Sequence, residues 1–150
     1  MLRPRLIPFL LLRNKGLVKT EKFQDGKYIG DPINAVKIFN EKQVDELTFL
    51  DIDASAKNSK PNFELIKKVA KESRMPLCYG GGIKTLDDAL NIIELGVEKI
   101  AISSSIFNDF TLLKKISSKI GMQSVVVVLD YKKTGLFRKN EIFINNGRVN

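Results

Sequence analysis

Met75-Pro76-Leu77-Cys78-Tyr79-Gly80-Gly81-Gly82-Ile83-Lys84-Thr85 is the stretch that decides the fold. An apolar run of strand length ends in three glycines, and a helix opens at Thr85, with Asp88 three residues on in the pattern of a capping box. Glycines at the carboxyl end of a strand let bare backbone N–H groups approach an anion, and the following helix N-terminus adds a favourable dipole. The same glycines also suit a tight turn that needs positive φ. Phosphate cradle and plain turn are both open until the surroundings are read.

Outward from this stretch, short apolar runs alternate with amphipathic ones, the pattern of consecutive βα units and a parallel sheet. Strands are expected over 5–11, 46–52, 76–80, 99–103 and 124–130. Helices are expected to open at Asp31 with Pro32 in the first turn, at Ser59 before Pro61, at Thr85, and at Asn108 before Phe110. Within them Ile33, Val36 and Phe39, then Phe63, Ile66 and Ala70, then Leu86, Ala89 and Ile93, then Leu113, Ile116 and Ile120 recur at helical spacing and form core stripes. Gly96 and Gly121 fall where a left-handed residue ends the third and fourth helices. The class is α/β.

A chain of 150 residues with 43% hydrophobic content buries one substantial core, so a single domain over 1–150 is expected. No stretch approaches the ~20 apolar residues of a membrane span. The start, with Arg3 and Arg5 before an apolar run, has the outline of a signal peptide, but Pro4 and Pro8 interrupt it and no small-residue cleavage site follows. The single cysteine, Cys78, excludes an internal disulfide and fits a reducing cytoplasm, most simply as a small buried hydrophobe.

Histidine is absent from the sequence. That removes zinc sites and nucleophile triads built on imidazole, so acid-base chemistry has to rest on carboxylates or lysine. Asp51, Asp53 and Asp130 at strand ends, and Lys19 in the loop after the first strand, are the candidates. No metal or cofactor is expected. The net charge of +8, from 25 Lys and Arg against 17 Asp and Glu, suits an anionic small molecule. The stretch 132–148 interleaves basic residues with Phe137 and Phe143, next to Tyr131. Lys67, Lys68, Lys71 and Arg74 lie on solvated helix faces, however, and neither nucleic acid nor membrane is expected as a partner.

Arg5-Leu6-Ile7-Pro8, Gly16-Leu17-Val18-Lys19, Gly30-Asp31-Pro32, Asp45-Glu46-Leu47, Phe49-Leu50-Asp51-Ile52, Gly80-Gly81-Gly82-Ile83, Gly96-Val97-Glu98-Lys99-Ile100 and Val126-Val127-Val128-Leu129-Asp130 together resemble the cyclase subunit of imidazole glycerol phosphate synthase. The resemblance runs in order over nearly the whole chain. It implies a (β/α)8 barrel of the ribulose-phosphate-binding type, which takes ammonia from a glutaminase partner and uses it on a phosphorylated substrate at the carboxyl ends of the strands. Such a barrel needs roughly 200 residues or more. The chain is therefore expected to be a partial barrel of about five βα units, the N-terminal half to two-thirds, with open sheet edges.

The resemblance also assigns residues. Asp130 and Lys19 fall at catalytic positions, whereas Leu11 stands where the family carries an aspartate general base. Losing one of two opposed carboxylates removes half of an acid-base pair, a contribution of ~10²–10⁴ in rate. Gly81, Gly82, Ser103 and Ser104 fall at phosphate-contacting positions. Arg5, Glu46 and Lys99 match a charged ring that gates ammonia at the amino-terminal mouth, and a purely structural ion-pair cluster is the alternative there. Three functions follow. The first is a divergent branch that partners a glutaminase and hands ammonia to a separate amidotransferase in surface-polysaccharide sugar biosynthesis, with the conduit kept and the base gone. The second is an authentic cyclase of histidine biosynthesis. The third is a non-catalytic half-barrel that binds a sugar phosphate.

Overall fold

The structure, a computed structural model, describes residues 3–21, 26–54, 56–134 and 139–143. Along the chain run β1 (Phe9–Arg13), β2 (Gly16–Lys19), β3 (Lys27–Gly30), α1 (Pro32–Lys42), β4 (Leu47–Asp51), α2 (Phe63–Glu72), β5 (Leu77–Gly80), α3 (Leu86–Glu94), β6 (Lys99–Ile102), α4 (Ser104–Asn108), α5 (Phe110–Ile120), β7 (Val125–Val127), β8 (Asp130–Thr134) and β9 (Lys139–Phe143). One sheet has the order β3-β2-β1-β4-β5-β6-β7. Its strands β1, β4, β5, β6 and β7 are parallel and helix-connected, and β2 and β3 add an antiparallel flank. This is the wall of a (β/α)8 barrel, open between β3 and β7.

Parallel register puts paired residues on one face. Leu12, Leu47, Phe49, Leu77, Tyr79, Ile100 and Ile102 are buried on the outer face beneath Val36, Ile66, Val69, Ala89, Ile92, Leu112 and Ile116 of the helices. The expected stripes are therefore core, with Ile33, Phe39, Phe63, Ala70, Leu86, Ile93, Leu113 and Ile120 packed at its margin. The inner face carries two rows, Phe9-Thr48-Cys78-Lys99 and, nearer the carboxyl ends, Leu11-Leu50-Gly80-Ala101-Val126. Gly80 is required by packing, because a Cβ there would stand 2.8 Å from both Ala101 Cβ and Leu50 Cδ2.

Local signals hold where they are strong. Asp31 accepts from Asn34 N at 3.0 Å and caps α1 ahead of Pro32. Thr85 and Asp88 form the reciprocal capping box of α3. Gly96 and Gly121 take φ of +99° and +90° past the ends of α3 and α5.

Several boundaries differ from expectation. The first strand begins at Phe9, not residue 5, because Pro4 and Pro8 have no N–H to give a ladder. The segment still runs beside its neighbour, with Asp45 N donating to the Leu6 carbonyl and Thr48 N to that of Pro8. The presumed loop holding Lys19 is the β2–β3 hairpin, entered through Asn14 and Lys15 at φ of 49° and 67°. The second helix is capped by Asn62, whose Oδ1 accepts from Leu65 N at 3.1 Å, and not by Ser59. Asp109, not Asn108, caps α5, and Asn108 ends the short α4. The fifth parallel strand stops at Val127, so Asp130 opens the separate β8–β9 hairpin. Of the basic and aromatic stretch 132–148, residues 135–138 and 144–148 lie outside the described residues.

Candidate functional site

The carboxyl ends of the parallel strands frame a cleft. Its walls include Leu11 and Arg13 from β1, Leu50 and Asp51 from β4, Gly80 to Gly82 after β5, Ser103 to Ser105 after β6, and Val128 and Asp130 after β7. Leu11, Leu50 and Ala101 share one inner row, so the floor is apolar. Polar groups stand around it.

The glycines have two jobs. Gly81 and Gly82 take φ of +112° and +74°, which a side chain rarely adopts. They also lie directly beneath the loop between β4 and α2. A Cβ on Gly82 would meet the Ser59 carbonyl oxygen at 2.9 Å, and one on Gly81 would overlap the Asp51 carbonyl and approach Asp51 Cβ at 2.8 Å. The close neighbour that excludes a side chain is thus the protein's own backbone. Among the described residues, the N–H groups of Gly81, Gly82 and Ile83 donate to no other residue. They are left as donors available to an anion.

The following helix contributes less than its dipole suggests. Asp88, only 6% exposed, accepts from Lys84 N at 3.1 Å and Thr85 N at 3.0 Å, so the start of α3 already holds its own carboxylate. For an anion beside the start of α3, the groups that remain are the glycine amides and the Ser103 to Ser105 segment.

Two carboxylates line the cleft. Burial pushes Asp51 above the ordinary carboxylate range, even though its Oδ1 accepts from Asp53 N and Ala54 N at 3.1 Å each. Burial alone raises Asp130. Each is better suited to carry a proton than an exposed aspartate is. Lys19 is elsewhere: it is exposed on β2, paired with Lys27 across the hairpin, and is not a wall of the cleft. Arg13, Thr20 and Ser105 line the cleft without having been singled out from sequence. The available signal for Arg13 was strand alternation, which puts it on the face of Leu11.

At the opposite, amino-terminal end of the sheet, Glu46 is buried to 3% exposure and its Oε2 accepts from Arg5 Nη2 at 3.0 Å and Lys99 Nζ at 2.5 Å. The three residues expected to meet there do meet. Above them on the inner face come Thr48 and Cys78. Burial, reinforced by the charge of Glu46, pushes the Cys78 thiol up to about 12, so it stays protonated at neutral pH and is no nucleophile. Among the described residues no group of three or more His, Cys, Asp or Glu is placed to hold a metal ion. No helix among them is long and apolar enough to cross a membrane.

A parallel βα sheet with its polar cleft at the carboxyl ends of the strands defines a protein of the (β/α)8-barrel class. Residues 5–150 match the family described as "Histidine biosynthesis protein", and the chain belongs to that family, in its HisF-like part. It is 55% identical over 147 residues to a Vibrio vulnificus protein provisionally named imidazole glycerol phosphate synthase subunit hisF3, covering 98% of this chain and 56% of that one. A Leptospira borgpetersenii protein, provisionally named imidazole glycerol phosphate synthase subunit HisF, is 56% identical over 147 residues, covering 98% and 58%. The imidazole glycerol phosphate synthase subunit HisF of Endomicrobium trichonymphae is 38% identical over 149 residues, covering 99% and 57%. The chain spans a little over half the length of these relatives.

Proposed function

We propose that this chain supplies the ammonia-receiving and phosphate-binding portion of a cyclase-subunit barrel, partnered by a glutaminase that docks at the amino-terminal end of the sheet. Support comes from one observation above the others: a buried carboxylate, Glu46, is shared by Arg5 and Lys99 at the end of the inner face opposite the cleft. Ammonia released there would pass Thr48 and Cys78, whose hydroxyl and thiol offer weak hydrogen bonds, and then the apolar row of Leu11, Leu50, Gly80 and Ala101. An apolar last stage favours neutral ammonia over ammonium, since an unpaired cation is costly to desolvate. The phosphate of the ligand would lie on Gly81, Gly82, Ser103 and Ser104.

The family's aspartate base is replaced by Leu11, which cannot accept a proton. The reading this favours is transfer of ammonia onward, to a separate amidotransferase serving surface-polysaccharide sugar biosynthesis in the cytoplasm, and not ring closure. Asp130 and Asp51, both in the cleft and both raised by burial, favour a second reading in which cyclase chemistry of histidine biosynthesis persists at reduced rate.

Glutamine-dependent transfer compared with transfer from ammonium salts, in the glutaminase-containing assembly, tests the conduit. Lys99→Ala should impair the first and leave the second nearly unchanged, because it alters delivery and not chemistry. Equal loss with both nitrogen sources would reduce Arg5, Glu46 and Lys99 to a structural cluster.

A further inference from the structure

Arg13 is the one cation among the described residues that line the cleft. Its Nε donates to Asp53 Oδ1 at 3.2 Å, and Asp53 Oδ2 pairs with Lys57 Nζ at 2.7 Å. Lys57 is held in turn by Asn14 Oδ1 at 3.1 Å. One carboxylate therefore stands between two cations, and the trio keeps a net positive charge. The Arg13 side chain is 22% exposed, and among the described residues its two Nη groups make no hydrogen bond. A guanidinium fixed through Nε with its Nη groups unengaged is a fork already oriented for a carboxylate or phosphate.

Its position adds a length. Arg13 ends β1, and only β4 separates that strand from β5, which carries the glycines. With neighbouring strands about 4.8 Å apart, the backbone that carries Arg13 and the backbone that carries the glycines lie roughly 10 Å from each other. Leu50, on the intervening β4, and Leu11 line the cleft with apolar side chains. Where an aspartate at position 11 would repel a second anion, leucine does not.

We infer that Arg13 binds a second anionic group of a ligand whose phosphate rests on Gly81 and Gly82, so that the cleft selects small phosphate esters carrying a carboxylate or a second phosphate that reaches across β4 to the end of β1. The inference rests on the phosphate cradle proposed above. It makes Arg13 a specificity-determining residue.

Titration calorimetry on the chain at fixed ionic strength tests it with three probes. Glucose 6-phosphate offers one anionic group, 6-phosphogluconate a phosphate and a carboxylate, and fructose 1,6-bisphosphate two phosphates. At least one doubly anionic probe should bind about tenfold or more tighter than glucose 6-phosphate, the range for a hydrogen-bonded charge. Which of the two does so identifies the second group. Arg13→Met should erase that preference to within about twofold while leaving glucose 6-phosphate unchanged, and Arg13→Lys, which keeps the charge without the fork, should retain part of it. If Arg13→Met does not fold by circular dichroism, Arg13→Lys decides, and the preference must fall at least about threefold. Glucose 6-phosphate binding without any preference, or a preference that survives the substitutions, would overturn the inference and leave the cradle standing. Absence of binding by all three probes would overturn both.

Discussion

Gly81→Ala and Gly96→Ala separate two reasons for a glycine that sequence alone cannot tell apart. Both residues have positive φ, +112° and +99°. At Gly96 an added Cβ would find only Ala70 Cβ, at an ordinary 3.7 Å, so the cost is the left-handed backbone alone, about 1 kcal/mol. At Gly81 the methyl would overlap the Asp51 carbonyl oxygen and press on Asp51 Cβ at 2.8 Å. Those atoms belong to the end of β4 and cannot swing aside as a flexible side chain does. Overpacking of that kind adds roughly 1–3 kcal/mol, so the total at Gly81 is about 3 kcal/mol. For a domain of this size the expected drop in Tm is about 2–4 °C for Gly96→Ala and about 6–12 °C for Gly81→Ala. Thermal and urea unfolding followed by circular dichroism would measure both. A Gly81→Ala variant no less stable than Gly96→Ala would show that the end of β4 does not pack on Gly81 as described.

Leu11→Asp should raise imidazole glycerol phosphate formation at least about tenfold if the rest of the cleft is intact, and no gain in a ring-closure assay would mean the site has diverged elsewhere as well. Thr85→Ala removes one half of the α3 capping box and should cost about 1 kcal/mol in urea unfolding, whereas a silent substitution would argue that Asp88 alone holds the helix start. Asp51→Asn bears on pH. Burial raises the folded-state pKa of Asp51 above its unfolded value of 3.8, so the stability linked to its protonated form is complete below that value and is lost as pH rises through the raised one. The asparagine keeps an Oδ1 acceptor for Asp53 N and Ala54 N without the buried charge. Its stability relative to the wild type should therefore improve as pH climbs from below 3.8 toward neutrality, and a difference flat across that range would contradict the direction.

What was legible in the sequence was what neighbours in the chain dictate. β5, its glycines and the box at Thr85 and Asp88 form one uninterrupted local message, and the structure follows it. The β2–β3 hairpin was not legible, because Leu17 and Val18 become a strand only by pairing with Leu12 and Leu11, and a short apolar pair carries no periodicity of its own. Ser59 and Pro61 imitated a helix start. The true cap, Asn62, follows a loop whose course is set by distant partners: Lys84 Nζ on Asn58 Oδ1 at 2.6 Å, Lys57 on Asn14, and Gly82 beneath Ser59. In the cleft, Ser103 and Ser104 announced themselves by following an apolar strand, and Asp130 by following another, although that strand stops three residues before it. Arg13 did not, since one arginine among 25 basic residues has no signature until its neighbours Asp53 and Lys57 are seen around it.

The two ends of the inner face handle charge differently, and energetics gives that difference meaning. Glu46 is almost wholly withdrawn from water, while Arg5 and Lys99 keep 53% and 25% of their side chains exposed. Desolvating the carboxylate is expensive, and the return from partly solvated partners is modest, so an apolar trio of similar volume would hold the strand starts together at least as well. Stability alone therefore gives no reason for the cluster. A carboxylate that two cations compete for can exchange partners at little net cost, which is what a gate requires and a packing contact does not. At the cleft the order is reversed: Asp51 and Asp130 are raised by burial, a cation is held at the rim by Asp53, and leucine stands at position 11. A small neutral nucleophile entering at Glu46 and leaving past Leu11 moves from a charged entrance to an apolar exit, and that gradient is the physical content of the conduit proposed here.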